Sequence, residues 1–242
     1  MIQKSKAIVL RSLKFGDTSL IVDMFTEQEG RISFITHVAK SAKGKVKKQF
    51  FQPLTLLELS FDYRQRVTLQ RIRDVRILRP YGSIPFDPAK SAVLLFLSEF
   101  LSYVTRGEQQ NVHLYHYVQT SMEWLDEAVQ GYANFHLVFM MRLSRFIGFF
   151  PNLEDYRKGA CFDLRNATFT DCVPSHPDYL LPAEAANIGL LMRMDYENMH
   201  LFRLSHTDRN HISDIILRYY RIHVPDMPEL KSFLVLQELF GQ

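Results

Sequence analysis

The sequence predicts an α+β chain: an OB-type five-stranded β-barrel over residues 1–80, then an all-α region over 81–242. Three observations carry that expectation. Alternating apolar and polar residues, enriched in β-branched types, run through residues 4–80. Beyond Pro80 the apolar spacing becomes helical. The charge changes sign at the same place, with 16 Lys and Arg against 7 Asp and Glu up to Pro80 and 13 against 19 after it.

The first strand places Ala7, Val9 and Leu13 on one face and ends at the turn Phe15-Gly16-Asp17. Residues 19–25 form the second, Glu29-Gly30 turns the chain, and residues 31–37 form the third. After a basic connection over 38–49, residues 54–63 and 67–78 read as a long hairpin around Arg64-Gln65. Five antiparallel strands expose unpaired edges unless they close, so a small barrel of the OB type is expected, with an SH3-like barrel as its rival.

Asp87 caps a first helix containing Leu94, Leu95, Leu97, Phe100, Leu101 and Val104, and Gly107 ends it. Further helices are expected over 112–129, 132–147, 183–194, 208–223 and 229–240. The stretch 152–181, rich in Pro, Asp, Asn and aromatics, reads as an irregular insert.

Composition excludes several classes. With 47% hydrophobic and 23% charged residues, a chain of 242 is too apolar for disorder and long enough for two cores. The opening residues lack the apolar run of a signal peptide, and no stretch approaches a membrane span, so a cytoplasmic location is expected. Two cysteines, Cys161 and Cys172, do not make a disulfide framework.

The basic third points to a polyanion. Lys40, Lys43, Lys45, Lys47 and Lys48 fall within nine residues, and their nearest acidic neighbours in sequence are Glu29 and Glu58. Such a glycine-containing loop tracks a phosphate backbone without reading sequence. Arg64, Arg66, Arg71 and Arg73 add guanidinium groups that contact phosphate or stack on bases, and Arg11, Lys14 and Arg31 complete the DNA-binding candidates. Arg76 and Arg79 decorate the same two strands as Arg64, Arg66, Arg71 and Arg73, and some of these six arginines are expected to cap the barrel or meet the acidic helical region. Phe15, Phe34, Phe50, Phe51, Phe61 and Tyr63 are stacking candidates, although core packing claims most barrel aromatics. The competing reading is a solvated loop and strand edges with no partner.

No phosphate loop, dinucleotide fingerprint, nucleophile elbow or metalloprotease helix is present, so neither catalysis nor a cofactor is expected. His113 and His116 read as exposed helix histidines.

In order and spacing, several segments resemble one family: Lys6 to Arg11, Phe15-Gly16-Asp17-Thr18-Ser19-Leu20-Ile21-Val22, Phe25 to Gly30, the basic loop, Gln52-Pro53-Leu54, Leu57-Glu58-Leu59 and Leu230-Lys231-Ser232. The chain resembles the RecO family of bacterial recombination mediators over essentially its full length. The resemblance implies an OB barrel followed by a helical domain, and an activity of binding single- and double-stranded DNA and annealing complementary strands. It also implies work with RecR and with the C-terminal tail of single-stranded-DNA-binding protein, helping RecA load, in the cytoplasm at the nucleoid. Arg142, Arg145, Arg218 and Arg221 are the candidate rim of the surface receiving that acidic tail.

Many members of that family carry a zinc module built from two C-x-x-C pairs. Here the pairs read Cys161-Phe162-Asp163-Leu164 and Cys172-Val173-Pro174-Ser175, with His176 beside the second. Half the thiolates are missing, so no zinc is expected, and Phe162, Leu164, Phe169 and Tyr179 are expected to hold the stretch by packing. Two other functions stay open at this stage: an adaptor using the basic barrel for acidic peptides or RNA, and an enzyme with an unrecognised site in the helical part.

Overall fold

The computed structural model describes residues 2–38 and 46–239. Five strands, β1 (Ile2–Phe15), β2 (Ser19–Thr26), β3 (Gly30–His37), β4 (Leu56–Asp62) and β5 (Leu69–Arg79), close into a barrel in the order β1-β2-β3-β5-β4. All pairings are antiparallel except β3 with β5, and this parallel contact closes the ring as in an OB fold. Ala7, Val9, Val22, Met24, Phe34, Leu57, Leu59 and Phe61 fill the interior. Burying the Val, Met, Leu and Phe side chains among these contributes about 1.5 to 3 kcal/mol each.

Two strand boundaries differ from expectation for identifiable reasons. Leu54 takes a left-handed conformation at φ 53, which breaks the extended run and delays β4 to Leu56. The Gln70 side chain, buried behind the loop 63–68, donates to the carbonyls of Arg64 and Val67 and accepts from the Arg64 amide, so β5 begins only at Leu69. Leu13 is corrected more fully. The pairing of β1 with β2 slips between Val9 and Arg11, and this bulge turns Leu13 outward, leaving it 47% exposed.

By packing, the chain divides differently than by charge. One compact unit comprises residues 1–127 and 230–239, and the other 128–229. The first joins the barrel to α1 (Pro88–Val104), α2 (Val112–Glu127) and α6 (Lys231–Leu239). Asp87 caps α1 by accepting from the amides of Ala89 and Lys90. Helix α6 returns to α1 because Glu99 accepts from the Lys231 and Ser232 amides. The Ser98 hydroxyl donates to the Leu10 carbonyl, fixing α1 to β1. His113 and His116 are exposed on α2, as read from the sequence.

The second unit holds α3 (Phe135–Leu143), α4 (Pro182–Arg193) and α5 (His206–His223). The expected helix over 132–147 is shorter: a single 3-10 turn precedes Phe135, and the chain leaves helix after Leu143 toward Gly148 at φ 93. The insert is not irregular throughout. Strands β6 (Cys161–Asp163), β7 (Thr168–Thr170) and β8 (Tyr179–Leu180) form a three-stranded sheet in the order β7-β6-β8. Phe162, Leu164 and Phe169 are buried within this unit, where Phe162 meets Phe169 edge-on. Among the described residues no helix is long and apolar enough to cross a membrane.

His136 lies fully inside this second unit, and burial, with Arg209 adding repulsion, lowers its pKa to about 3. The unfolded chain therefore takes up the proton first, near pH 6.5. The stability contributed by the neutral imidazole is fully present above that pH and is lost as pH falls toward 3. The loss at pH 5 is about 2 kcal/mol. Thermal unfolding of the parent and of His136→Leu at pH 7 and pH 5 is expected to show a larger acid-induced drop in the parent; equal drops refute the assignment.

Candidate nucleic-acid interface

The barrel's outer surface is set by strand register, since directly paired residues project to the same side. Arg11 pairs with Asp23 and Asp23 with Ser33; Leu13 pairs with Ile21, Ile21 with Ile35, and Ile35 with Arg71; Phe15 pairs with Ser19 and Ser19 with His37. These residues alternate with the core set, so the three rows lie on the outside.

The basic candidates divide by what holds them. Asp23, nearly buried, accepts from Arg11 at 3.1 Å and from Arg31 at 3.2 Å, and Ser33 donates to its other oxygen. Arg31 also donates to the Ser102 carbonyl, and burial lowers its pKa; its guanidinium is held within this unit. Arg73 pairs with Asp62 at 2.8 Å, and this hydrogen bond holds the Asp62 carboxyl below its ordinary range. Arg76 pairs with Glu58, and Arg79 with Glu123 and Glu127 of α2.

Lys14, Lys47, Lys48, Arg64, Arg66 and Arg71 have no carboxylate of the described residues within 4.0 Å. Arg64 and Arg71 line one hollow of about 480 Å³ together with Ile35, Val67, Leu69 and Asp62, whose charge Arg73 neutralises. The buried Gln70 shapes the loop that carries Arg64 and Arg66. At the other end of the barrel, Ser12 donates to the Phe51 carbonyl and ties the segment bearing Lys47 and Lys48 to the part of β1 that bears Lys14. Lys40, Lys43 and Lys45 lie outside the described residues. Arg64, Arg66 and Arg71 thus belong to the end of the barrel where β4 turns into β5, and Lys14, Lys47 and Lys48 to the end where β1 turns into β2.

Of the stacking candidates, Phe34, Phe51 and Phe61 belong to the core, and Phe50 and Tyr63 pack against it. Phe15 alone among these six is widely open, 55% exposed.

In the second unit, Arg142 and Arg145 line a hollow of about 440 Å³ with Met141, Phe150, Leu153 and Leu191. Arg142 donates twice to the Met194 carbonyl, and the Arg145 guanidinium lies 4.7 Å from the Phe150 ring centre. Arg218 and Arg221 line no part of this hollow. Arg218 donates to the Pro177 carbonyl, and Arg221 faces Leu217 and Glu229.

A tetrahedral zinc site does not fit the insert. Leu164 stands fully buried where the second thiol of the first pair belongs, while Cys161 is buried on β6 and Cys172 is exposed. His176 is engaged with Asp163 at 3.3 Å. Among the described residues no group of three His, Cys, Asp or Glu side chains is placed to hold a metal ion.

An OB barrel followed by a helical region, with cations on the barrel that no carboxylate engages, is of the nucleic-acid-binding kind. The comparisons name the family: Recombination protein O N terminal matches residues 1–81 and Recombination protein O C terminal matches 85–232. A protein of Bacteroides fragilis named DNA repair protein RecO is 52% identical over 241 residues, covering 99% of this chain and all of its own. Proteins of the same name from Phocaeicola vulgatus and Azobacteroides pseudotrichonymphae are 48% and 35% identical, covering 100% and 99% of this chain and the whole of each relative. The chain belongs to the RecO family.

Proposed function

We propose that this protein is a non-catalytic DNA repair and recombination mediator that binds single- and double-stranded DNA and anneals complementary strands on the barrel. The observation that carries the reading is the set of six cations on the barrel and its loops with no carboxylate of the described residues within 4.0 Å, two of which, Arg64 and Arg71, line one hollow. Annealing requires repulsion between two backbones to be neutralised while bases stay accessible, and no covalent step is involved. Lys14, Lys47, Lys48, Arg64, Arg66 and Arg71 are the proposed contacts, joined by the loop lysines Lys40, Lys43 and Lys45. Arg11, half exposed beside Asp23, is a weaker contributor.

Partners follow from the second unit and the family. The hollow, lined by Arg142 and Arg145 together with Met141, Phe150, Leu153 and Leu191, suits the acidic, aromatic-ended tail of single-stranded-DNA-binding protein: the apolar side chains take the ring and the guanidinium groups face the carboxylates. Arg142 and Arg145 are kept for that role and Arg218 and Arg221 are not. RecR as co-mediator, RecA as the eventual recipient of the strand, and a cytoplasmic, nucleoid-associated location complete the proposal.

Fluorescence-followed annealing of complementary oligonucleotides, bare or coated with single-stranded-DNA-binding protein, tests both parts. The parent is expected to accelerate annealing without nucleotide in either case, and Arg145→Ala to lose only the coated reaction. No acceleration of bare strands refutes the mediator reading, and an unaffected coated reaction refutes the hollow.

A further inference from the structure

We infer that Leu13, Ile21, Ile35 and Phe15 form the base-contacting surface for an unpaired polynucleotide strand, and that this apolar face, not the cations, sets preference for single strands over duplex. The inference rests on the DNA-binding reading above and deepens it.

Outward apolar residues of a barrel are normally covered. Ile8 is fully buried, and Phe25 is buried under a ring stacked with Tyr115 of α2. Leu13 and Phe15 instead stay about half exposed, with Ile21 and Ile35 partly open beside them. The row Leu13, Ile21, Ile35, Arg71 crosses four strands, a width of about 14 Å at ordinary strand spacing. It exists because the bulge between Val9 and Arg11 changes the parity of β1.

Charge complementarity selects the occupant. Arg71 ends the row and Arg64 lines the same hollow as Ile35, while Asp23 and Asp62 are each held by arginine. A polyanion with apolar faces satisfies both components. A second copy of this chain would bring the same cations against these and be repelled. Phosphates are equally available in single and double strands, whereas base faces are hidden in a duplex. The apolar row therefore discriminates, and the cations supply affinity common to both.

The test uses the full chain and fluorescence anisotropy with oligothymidine and with a duplex of equal length. Leu13→Ser/Phe15→Ser replaces half-exposed side chains, and thermal unfolding of each variant verifies folding; Ile35→Ser is a second, independent variant. Oligothymidine affinity is expected to fall roughly tenfold, duplex affinity to change less than twofold, and the salt slope to stay the same. Equal losses on both probes, or no loss on either in both variants, overturn the inference while leaving DNA binding intact. A parent dimer in sedimentation that dissociates in the variant assigns the face to a second copy and likewise overturns it. A parent that binds neither probe refutes the DNA reading, and this inference with it.

Discussion

Replacing Arg64, Arg66 and Arg71 together by alanine is expected to weaken oligonucleotide binding on the order of 10²-fold at 0.1 M salt. Each phosphate contact on a single strand contributes a slope of about −0.7 in log K against log salt, so three lost contacts flatten the slope by about 2. The comparison that gives this result its meaning is Arg73→Ala/Arg76→Ala/Arg79→Ala, which removes the same formal charge. Those three guanidinium groups are already engaged with Asp62, Glu58 and the Glu123–Glu127 pair. Their counterions are protein carboxylates, so few ions are released when DNA arrives and the slope should barely move. If the two triple variants lose affinity equally, net charge governs binding and the particular placement of Arg64, Arg66 and Arg71 does not.

Strand and helix identities were legible because alternation and helical spacing are local properties, and the cap Asp87 announces α1 from its own position. Ion pairs are not local. Arg31 and Asp23 meet across β2 and β3, and Arg73 and Asp62 meet across β4 and β5, so partners hidden by strand pairing made candidates of residues that the fold engages internally. The Leu13 side chain was placed inward because one extra residue at a bulge reverses every later side chain of that strand, and no alternation pattern announces it. Strands β6, β7 and β8 have three, three and two residues, too few for a period of two to register. Charge marked a division at Pro80, yet Glu99 draws the amides of Lys231 and Ser232 back to the first unit across more than a hundred residues, a contact with no sequence signature. The cluster of basic residues was legible; which of them lack a carboxylate partner was not.

The largest effect on stability is expected at Gly30, which joins β2 to β3. Its φ of +69 lies in the left-handed region, where a side chain costs about 1 to 2 kcal/mol. Gly16, in the turn from β1 to β2, has nearly the same φ of +66, but open space surrounds it. A Cβ on Gly30 would instead stand 2.4 Å from the carbonyl carbon and oxygen of Gln109 and 2.5 Å from the Glu108 oxygen. These are backbone atoms and cannot rotate away. The loop after α1 has to shift, which sacrifices the hydrogen bond from the Arg31 amide to the Glu108 carbonyl at 3.1 Å and disturbs the Arg31 clamp on Ser102. The loss from Gly30→Ala should reach about 3 kcal/mol or more once strain and the unmade bond are combined. Gly16→Ala should cost only the conformational part. In thermal unfolding of the two variants, Gly30→Ala is expected to melt several degrees below Gly16→Ala. Equal midpoints mean that the loop at Gln109 yields freely, and the close backbone approach then has no structural weight.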